Sequence, residues 1–71
     1  MTEQHYKGNT IEPEPTRRAD GRFVANGRLR QPAGSETPNR RFTAPGVFDS
    51  ADDAAVAFVN EAKRRLDAGE I

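Results

Sequence analysis

Four arginines in the middle of the chain are the residues best suited to bind another molecule. Arg22, Arg28 and Arg30 lie at even positions of GRFVANGRLRQ, and Arg41 follows in NRRFTA. Alternate residues of a strand share one face, so parity puts the first three on one side and, with Phe42 inward, Arg41 beside them. Guanidinium groups pair with carboxylates, phosphates or guanine edges. The sequence therefore predicts an arginine-bearing sheet face, which is either a binding surface or a solvated one.

Catalysis finds little support among the residue types present. Cysteine is absent, and His5 is the single histidine. No Ser-His-Asp or Cys-His set can be assembled around it. Asp49, Asp52 and Asp53 cluster without the spacing of an EF-hand loop, and helix capping accounts for Asp52 and Asp53. We therefore expect a non-enzymatic protein with no catalytic residue, no cofactor and no metal.

The charges are unevenly distributed, although the formal net charge of the 71 residues is +0. Residues 16–43 hold seven arginines against two acids, a balance of +5, and the flanking segments are acidic. A neutral domain lacks the basic footprint that is usual for nucleic-acid binding. The opening MTEQHYKGNT has no apolar run, and no segment has the length of a membrane span, so we expect a cytoplasmic protein that contacts no membrane.

The clearest predicted element is a helix over about 51–67. Ser50 is a suitable N-cap, and Gly69 can adopt the left-handed conformation that ends a helix. Val56 lies outside the apolar stripe and could contribute to a weak homodimer; otherwise we expect a monomer. The stripe follows the i, i+3, i+4, i+7, i+11 spacing and consists of Ala55, Phe58, Val59, Ala62 and Leu66.

Three stretches before the helix are predicted to be strands, over about 8–17, 22–30 and 39–44. Pro13 and Pro15 cannot donate to a ladder, so we expect the first strand at a sheet edge. Gly27, inside the central strand, indicates close approach of the helix or a bulge. The predicted fold is α+β: a three-stranded antiparallel meander with one C-terminal helix packed on one face (β-β-β-α). The domain covers 8–68, between a disordered tail over 1–7 and a frayed end over 69–71.

The turn between the first two strands sets their register. A two-residue loop would put Ile11 opposite Arg30, which mixes apolar and charged groups on one face. A three-residue loop with Gly21 left-handed puts Ile11 opposite Leu29, and we prefer it. In that register Glu12 faces Arg28 across the strands. No acidic neighbour is evident for Arg22, Arg30 or Arg41.

Four short motifs run through the chain: YKGNTIEP at the start, the DGR turn, RRF in the third strand and FDSADDA at the helix start. By these motifs the chain resembles a class of small proteobacterial proteins of unknown function, over a match from Tyr6 to Gly69. This resemblance implies the fold and no activity. The β-β-β-α order also loosely resembles the arm-binding domain of phage-type integrases and the plant AP2 domain, which implies a sheet that lies on DNA. Glu12 and Glu14 depart from that pattern.

Two functions remain open from the sequence. The leading hypothesis is a small stand-alone cytoplasmic interaction or accessory protein with an unknown protein partner. The alternative is a nucleic-acid-binding module that uses the sheet face bearing Arg22, Arg28, Arg30 and Arg41.

Overall fold

Five strands and one helix make up the computed structural model, which describes residues 3–32, 34 and 39–70. Every strand pair is antiparallel, and the helix follows the sheet in the chain, so the predicted α+β class is confirmed. The predicted count of three strands is wrong. The elements are β1 (Gln4–Tyr6), β2 (Asn9–Pro13), β3 (Thr16–Arg17), β4 (Phe23–Arg30), β5 (Asn39–Phe48) and α1 (Ala51–Ala68).

The predicted first strand is divided in two by its prolines. β2 ends at Pro13 and β3 begins at Thr16, and both pair with the same edge of β4. The interruption is short, and within it the Glu14 N–H still donates to the Asn26 carbonyl at 2.8 Å. Proline has no N–H to offer a ladder, so the pairing stops where two prolines stand two residues apart. The divided strand is also not an outer edge, since β1 covers β2.

β1 lies within the segment for which we expected a disordered tail. It pairs with β2 through a two-residue turn, with Gln4 opposite Ile11 and Tyr6 opposite Asn9. Lys7 and Gly8 form that turn with φ values of 50° and 81°. Two positive φ angles are the mark of the type I′ hairpin, whose twist matches that of the strands. The pairing stops short of Pro13, so β1 and the prolines do not conflict. Residues 1–2 of the expected tail lie outside the described part.

The predicted register between the first two strands is confirmed. Ile11 lies opposite Leu29, and Arg17 lies opposite Phe23. Gly21 is left-handed with φ 85°, and the Arg18 N–H donates to the Arg22 carbonyl at 2.6 Å. The three-residue turn therefore keeps the apolar residues of both strands on one face.

β5 is longer than predicted because it contains a bulge. The register against β4 shifts by two residues between the pairs Val24–Val47 and Ala25–Ala44. The two extra residues are a proline and Gly46, whose φ of 102° suits glycine. Pairing then resumes beyond the bulge and carries the strand to Phe48.

The core lies between α1 and the sheet face that carries the odd-numbered residues of β4. A Cβ atom on Gly27 would lie 2.4 Å from Phe58 Cε2, so the predicted close approach of the helix is confirmed. Phe58 also stacks on Phe42 with ring centroids 4.5 Å apart. The buried apolar residues are Ile11, Ala25, Leu29, Ala44, Ala54, Phe58 and Ala62.

The helix ends have the predicted caps. Ser50 Oγ accepts the Asp53 N–H at 3.1 Å, and Gly69 ends the helix with φ 73°. The buried stripe is rotated from the prediction, because Ala54 is fully buried and Ala55 only partly so. This rotation turns Val56 outward. At the far end Glu70 donates its N–H to the Arg65 carbonyl at 2.9 Å, within the segment expected to fray; residue 71 lies outside the described part.

Candidate functional site

The sheet face turned away from the helix, called the outer face below, carries three of the four predicted arginines in one group. Arg28 stands directly opposite Arg41 on β5, which confirms that Arg41 is the outward member of its pair. Like charges in opposite positions repel. Glu12 answers this repulsion, because its carboxylate accepts Arg28 Nε at 2.7 Å and lies 3.7 Å from Arg30 Nε. The hydrogen bond from Arg28 to this carboxylate raises the pKa of Arg28.

The remaining outer arginines also have acidic partners, so the prediction that Arg22, Arg30 and Arg41 lack them is wrong. Arg41 Nη1 lies 3.1 Å from Glu14 Oε1. Arg22 Nε lies 3.5 Å from Asp49 Oδ1. The second pair depends on the bulge in β5, which brings the end of that strand alongside the start of β4. Strand parity alone carries no sign of that shift.

A chain of neutral side chains completes the outer face. Asn26 Nδ2 donates to Thr16 Oγ1 at 2.7 Å, and Thr43 Oγ1 donates to Asn26 Oδ1 at 2.5 Å. These bonds link β3, β4 and β5 across an open depression of about 390 Å³. In the described part of the chain no buried side-chain nitrogen or oxygen lacks a partner. The polar side chains of the outer face thus form hydrogen bonds and ion pairs with one another.

A second depression, called the helix groove below, lies beside α1 at the end of the sheet near β1. It has a volume of about 280 Å³. Its apolar wall includes Val56, whose exposure of 59% exceeds the 39% of Val47 on the other side of the sheet. The lining residues are Gln4, Pro13, Asp52, Ala55, Val56, Val59 and Asn60.

The free acidic groups of the described chain are concentrated near this groove. Seven of the ten side-chain carboxylates in the described chain have an ion-pair partner within 4.0 Å. The three without one are Glu3, Asp52 and Asp53. Asp52 lines the groove, and Glu3 directly precedes Gln4, which also lines it. The groove therefore combines an apolar wall with an unneutralised carboxylate at its rim.

A cluster at the end of the helix fixes β1 in place. Tyr6 Oη donates to Asp67, with its oxygens 2.9 and 3.0 Å away, and Lys7 Nζ lies 2.6 Å from Asp67 Oδ1. Lys63 Nζ sits 5.3 Å from the centre of the Tyr6 ring. Asp67 raises the pKa of Tyr6, and its two partners lower the pKa of Asp67. This Tyr6–Asp67 clasp ties the first hairpin to the helix.

The catalytic candidates weighed in the sequence are not brought together. His5 Nδ1 lies 3.4 Å from Thr10 Oγ1 on the neighbouring strand, and no carboxylate completes a pair with it in the described residues. Asp52 and Asp53 occupy the first turn of the helix as expected. Within residues 3–32, 34 and 39–70 no three potential metal ligands form a group.

The helix groove is the feature that sequence reasoning missed. Its signal was present in Val56, which lies outside the apolar stripe, but a single exposed valine is ordinary. The groove becomes visible only once β1 is known to pair with β2, because Gln4 supplies its far side.

Comparison of the chain with protein-family models, with curated proteins and with solved structures gave no match. The structure adds one negative observation on membranes: within its described residues, no helix combines the length and the apolar character needed for a crossing.

Proposed function

We propose that the chain is a non-catalytic interaction domain that binds a partner protein through the helix groove. The observation that carries this proposal is the exposed Val56, set in an apolar wall with a polar rim. Protein interfaces have this arrangement, with apolar contacts in the middle and polar groups around them. The proposal includes the cytoplasmic accessory role expected from the sequence.

The outer face supports the same conclusion, because its arginines already have carboxylate partners. A ligand that engaged Arg28 would have to compete with Glu12, whose side chain is only 15% exposed. A ligand at Arg41 would displace Glu14. Removing a partner from a half-buried charge is costly, whereas covering an exposed aliphatic side chain is favourable. The groove is therefore the surface that gains most from being covered.

A displayed library of random peptides tests the proposal. We expect the wild-type protein to enrich a set of binders that the Val56→Glu variant no longer retains. Glutamate has a higher helix propensity than valine, so this change leaves the exposed helix position intact. The matched control is Val47→Glu, the same change at the exposed valine of β5, which should retain the binders.

Two outcomes would overturn the proposed function. One is a library from which no peptide is enriched by the wild-type protein. The other is a set of binders that Val47→Glu loses and Val56→Glu keeps. Circular dichroism of both variants shows that each is folded before the comparison is made.

Nucleic-acid binding is the second candidate, because Arg28 and Arg41 stand directly opposite each other beside Arg30. A phosphate between them would relieve their repulsion. If this face binds duplex DNA, the logarithm of affinity falls with the logarithm of salt concentration by about 0.9 per phosphate neutralised. Arg41→Gln should then weaken binding. Arg17→Gln is the control, since Arg17 lies on the helix side opposite Phe23 and has no ion-pair partner among the described residues. Equal affinity of both variants for a random duplex at low salt would exclude this use of the face.

A further inference from the structure

The proposal that follows rests on the proposed function and names the chemistry of its partner. We infer that the helix groove takes an extended segment of a partner protein, in which a single residue separates a lysine or arginine from an aliphatic residue. The segment adds as a strand to the free edge of β1, and its cation lies at the Asp52 end of the groove.

The cation is inferred from the charges that the fold leaves unanswered. Asp52 lines the groove without an ion-pair partner in the described chain. Seven of the nine other described carboxylates are paired, and Asp52 is the unpaired one that lines the apolar groove. Acidic and basic groups that meet across an interface raise the association rate and suppress wrong partners. A basic side chain on the partner would complete the pairing.

The position of the cation follows from the two ends of the helix. Asp52 lies in the first turn, whereas Lys63 lies eleven residues further along and is within 5.3 Å of the Tyr6 ring centre. A cation on the partner is attracted at the first end and repelled at the second. The basic residue therefore belongs beside Asp52, and the aliphatic residue lies toward Val59.

The extended conformation is inferred from the state of the sheet edges. β1 pairs with β2 on one side only, and no strand of the described chain pairs with its other side. The opposite edge, β5, is interrupted by its proline–glycine bulge and carries Arg40 and Arg41. Bulges, prolines and charges are among the devices that protect an edge from pairing, and a short strand length is another. β1 has no bulge, proline or charged residue within it, and Gln4 connects it to the groove.

The spacing of the ligand follows from strand geometry. In an added strand, residues two apart point to the same face. A lysine and a valine separated by one residue therefore both point to the helix side, where Asp52 and the valines of α1 lie. Peptide recognition by strand addition takes its affinity from backbone hydrogen bonds and its specificity from such alternate side chains.

Three capped pentapeptides test the inference by NMR titration of the full chain. The probe is Lys-Ser-Val-Ser-Val, compared with Glu-Ser-Val-Ser-Val and Lys-Ser-Ser-Ser-Ser. We expect the probe to shift the amides of Gln4, Val56, Val59 and Asn60 and to bind more tightly than either comparison peptide. In the complex, the β1 amides that point away from β2 should exchange with solvent more slowly.

Two variants of the first helical turn supply a matched control for the ion pair. Asp52→Asn should weaken the probe by about two- to fivefold, the range of an exposed ion pair. Asp53→Asn removes a charge from the same helical turn, but Asp53 does not line the groove. The affinity for the probe should therefore be unchanged in this variant. Equal losses in both variants would assign the effect to the general field of the helix end and overturn the inference.

The other outcomes are equally decisive. If the acidic peptide binds as well as the basic one, or none of the three binds, the inferred partner chemistry is wrong. The proposed function would still stand in that case, provided that the library binders depend on Val56. Binding without slower exchange in β1 would overturn strand addition.

Discussion

Glu12 is the residue on which the charge balance of the outer face most depends. One carboxylate lies beside both Arg28 and Arg30, and Arg41 stands across from the first of these. A hydrogen bond to a charged group of this kind contributes on the order of 1 kcal/mol to stability when it is only partly exposed. Without it, Arg28 and Arg30 lose the carboxylate that they share, while Arg28 still stands opposite Arg41.

Replacing Glu12 by glutamine should therefore destabilise the fold. We expect Glu12→Gln to lower the free energy of unfolding by about 1 kcal/mol in urea denaturation, and by more at low salt, where repulsion is less screened. Glu14→Gln is the control, because its pair with Arg41 is far more exposed and should contribute less than about 0.5 kcal/mol. Equal effects of the two changes would show that the shared carboxylate has no special role.

Glu61 gives the clearest expected dependence of stability on pH. Its carboxylate accepts hydrogen bonds from Arg64 and Arg65, which lower the pKa of Glu61 from 4.5 to about 2. Because the folded state holds the proton less tightly than the unfolded state, this contribution is present above pH 4.5 and is lost as the pH falls toward 2. Asp67 and Glu70, whose pKa values are also lowered, act in the same direction.

Urea denaturation at several pH values measures this effect. The urea concentration at the unfolding midpoint of the wild-type protein should decrease as the pH is lowered from 4.5 to 2. The Glu61→Gln variant should show a smaller decrease over the same pH range. A variant curve parallel to that of the wild type would mean that Glu61 titrates normally in the folded protein.

The contact between α1 and β4 depends on the absence of a side chain at Gly27. An added Cβ would lie 2.4 Å from Phe58 Cε2, 2.5 Å from Phe58 Cζ and 2.7 Å from the Glu12 carbonyl. We expect Gly27→Ala to destabilise the protein by about 1–3 kcal/mol, the usual range for an overfilled core.

A double-mutant cycle separates the two clashes. Leucine lacks the ring atoms that the new methyl group would meet, so the loss caused by Gly27→Ala should be smaller in a Phe58→Leu background. The carbonyl contact is unaffected by that change, which limits the rescue to a part of the loss. Additive losses in the cycle would show that the helix can shift to admit the methyl group.

The clasp at the turn of the first hairpin anchors that hairpin to α1, so the stability of the hairpin should depend on this contact. Tyr6→Phe removes the hydroxyl that donates to Asp67 while keeping the ring. We expect faster hydrogen exchange of the β1 and β2 amides that pair with each other, with little change in global stability. Unchanged exchange in β1 would mean that the lysine contacts suffice.

The elements that sequence reasoning predicted well are those set by periodicity and local chemistry. The Ile11–Leu29 register followed from parity, because only one turn length keeps both residues inside. The helix and its caps followed from Ser50 and Gly69. β1 was missed because two of its three residues, Gln4 and His5, are polar and its neighbours are also polar, so no apolar alternation marks it.

Features that depend on tertiary contacts could not be predicted in the same way. The bulge in β5 shifts the register by two residues, and only the resumed pairing of Phe48 with Phe23 reveals it. The pairing of Arg22 with Asp49 follows from that shift. Strand parity alone therefore could not predict that the candidate arginines have acidic partners. It also could not predict where the groove lies.

At the scale of the whole molecule, the small core makes stability sensitive to binding. Its largest fully buried side chains are Phe58, Ile11 and Leu29. A domain of this size has a free energy of unfolding of only about 4–10 kcal/mol. A ligand that binds only the folded state therefore changes a large fraction of the total.

Thermal unfolding is accordingly a sensitive assay for the partner. At about 100 times its Kd, a groove ligand should add about 2.7 kcal/mol to the free energy of unfolding and raise the Tm by about 10–20 °C. The Val56→Glu variant should show little of this rise. A similar rise in that variant would place the ligand elsewhere on the surface.

The clasp also joins two residues that the ribosome adds at very different times. Tyr6 and Asp67 are 61 positions apart, so the first hairpin is anchored to the helix only after Asp67 has been added. A nascent chain halted before Asp67 would already contain the residues of β1 to β5. Its first hairpin would still lack the carboxylate that anchors it.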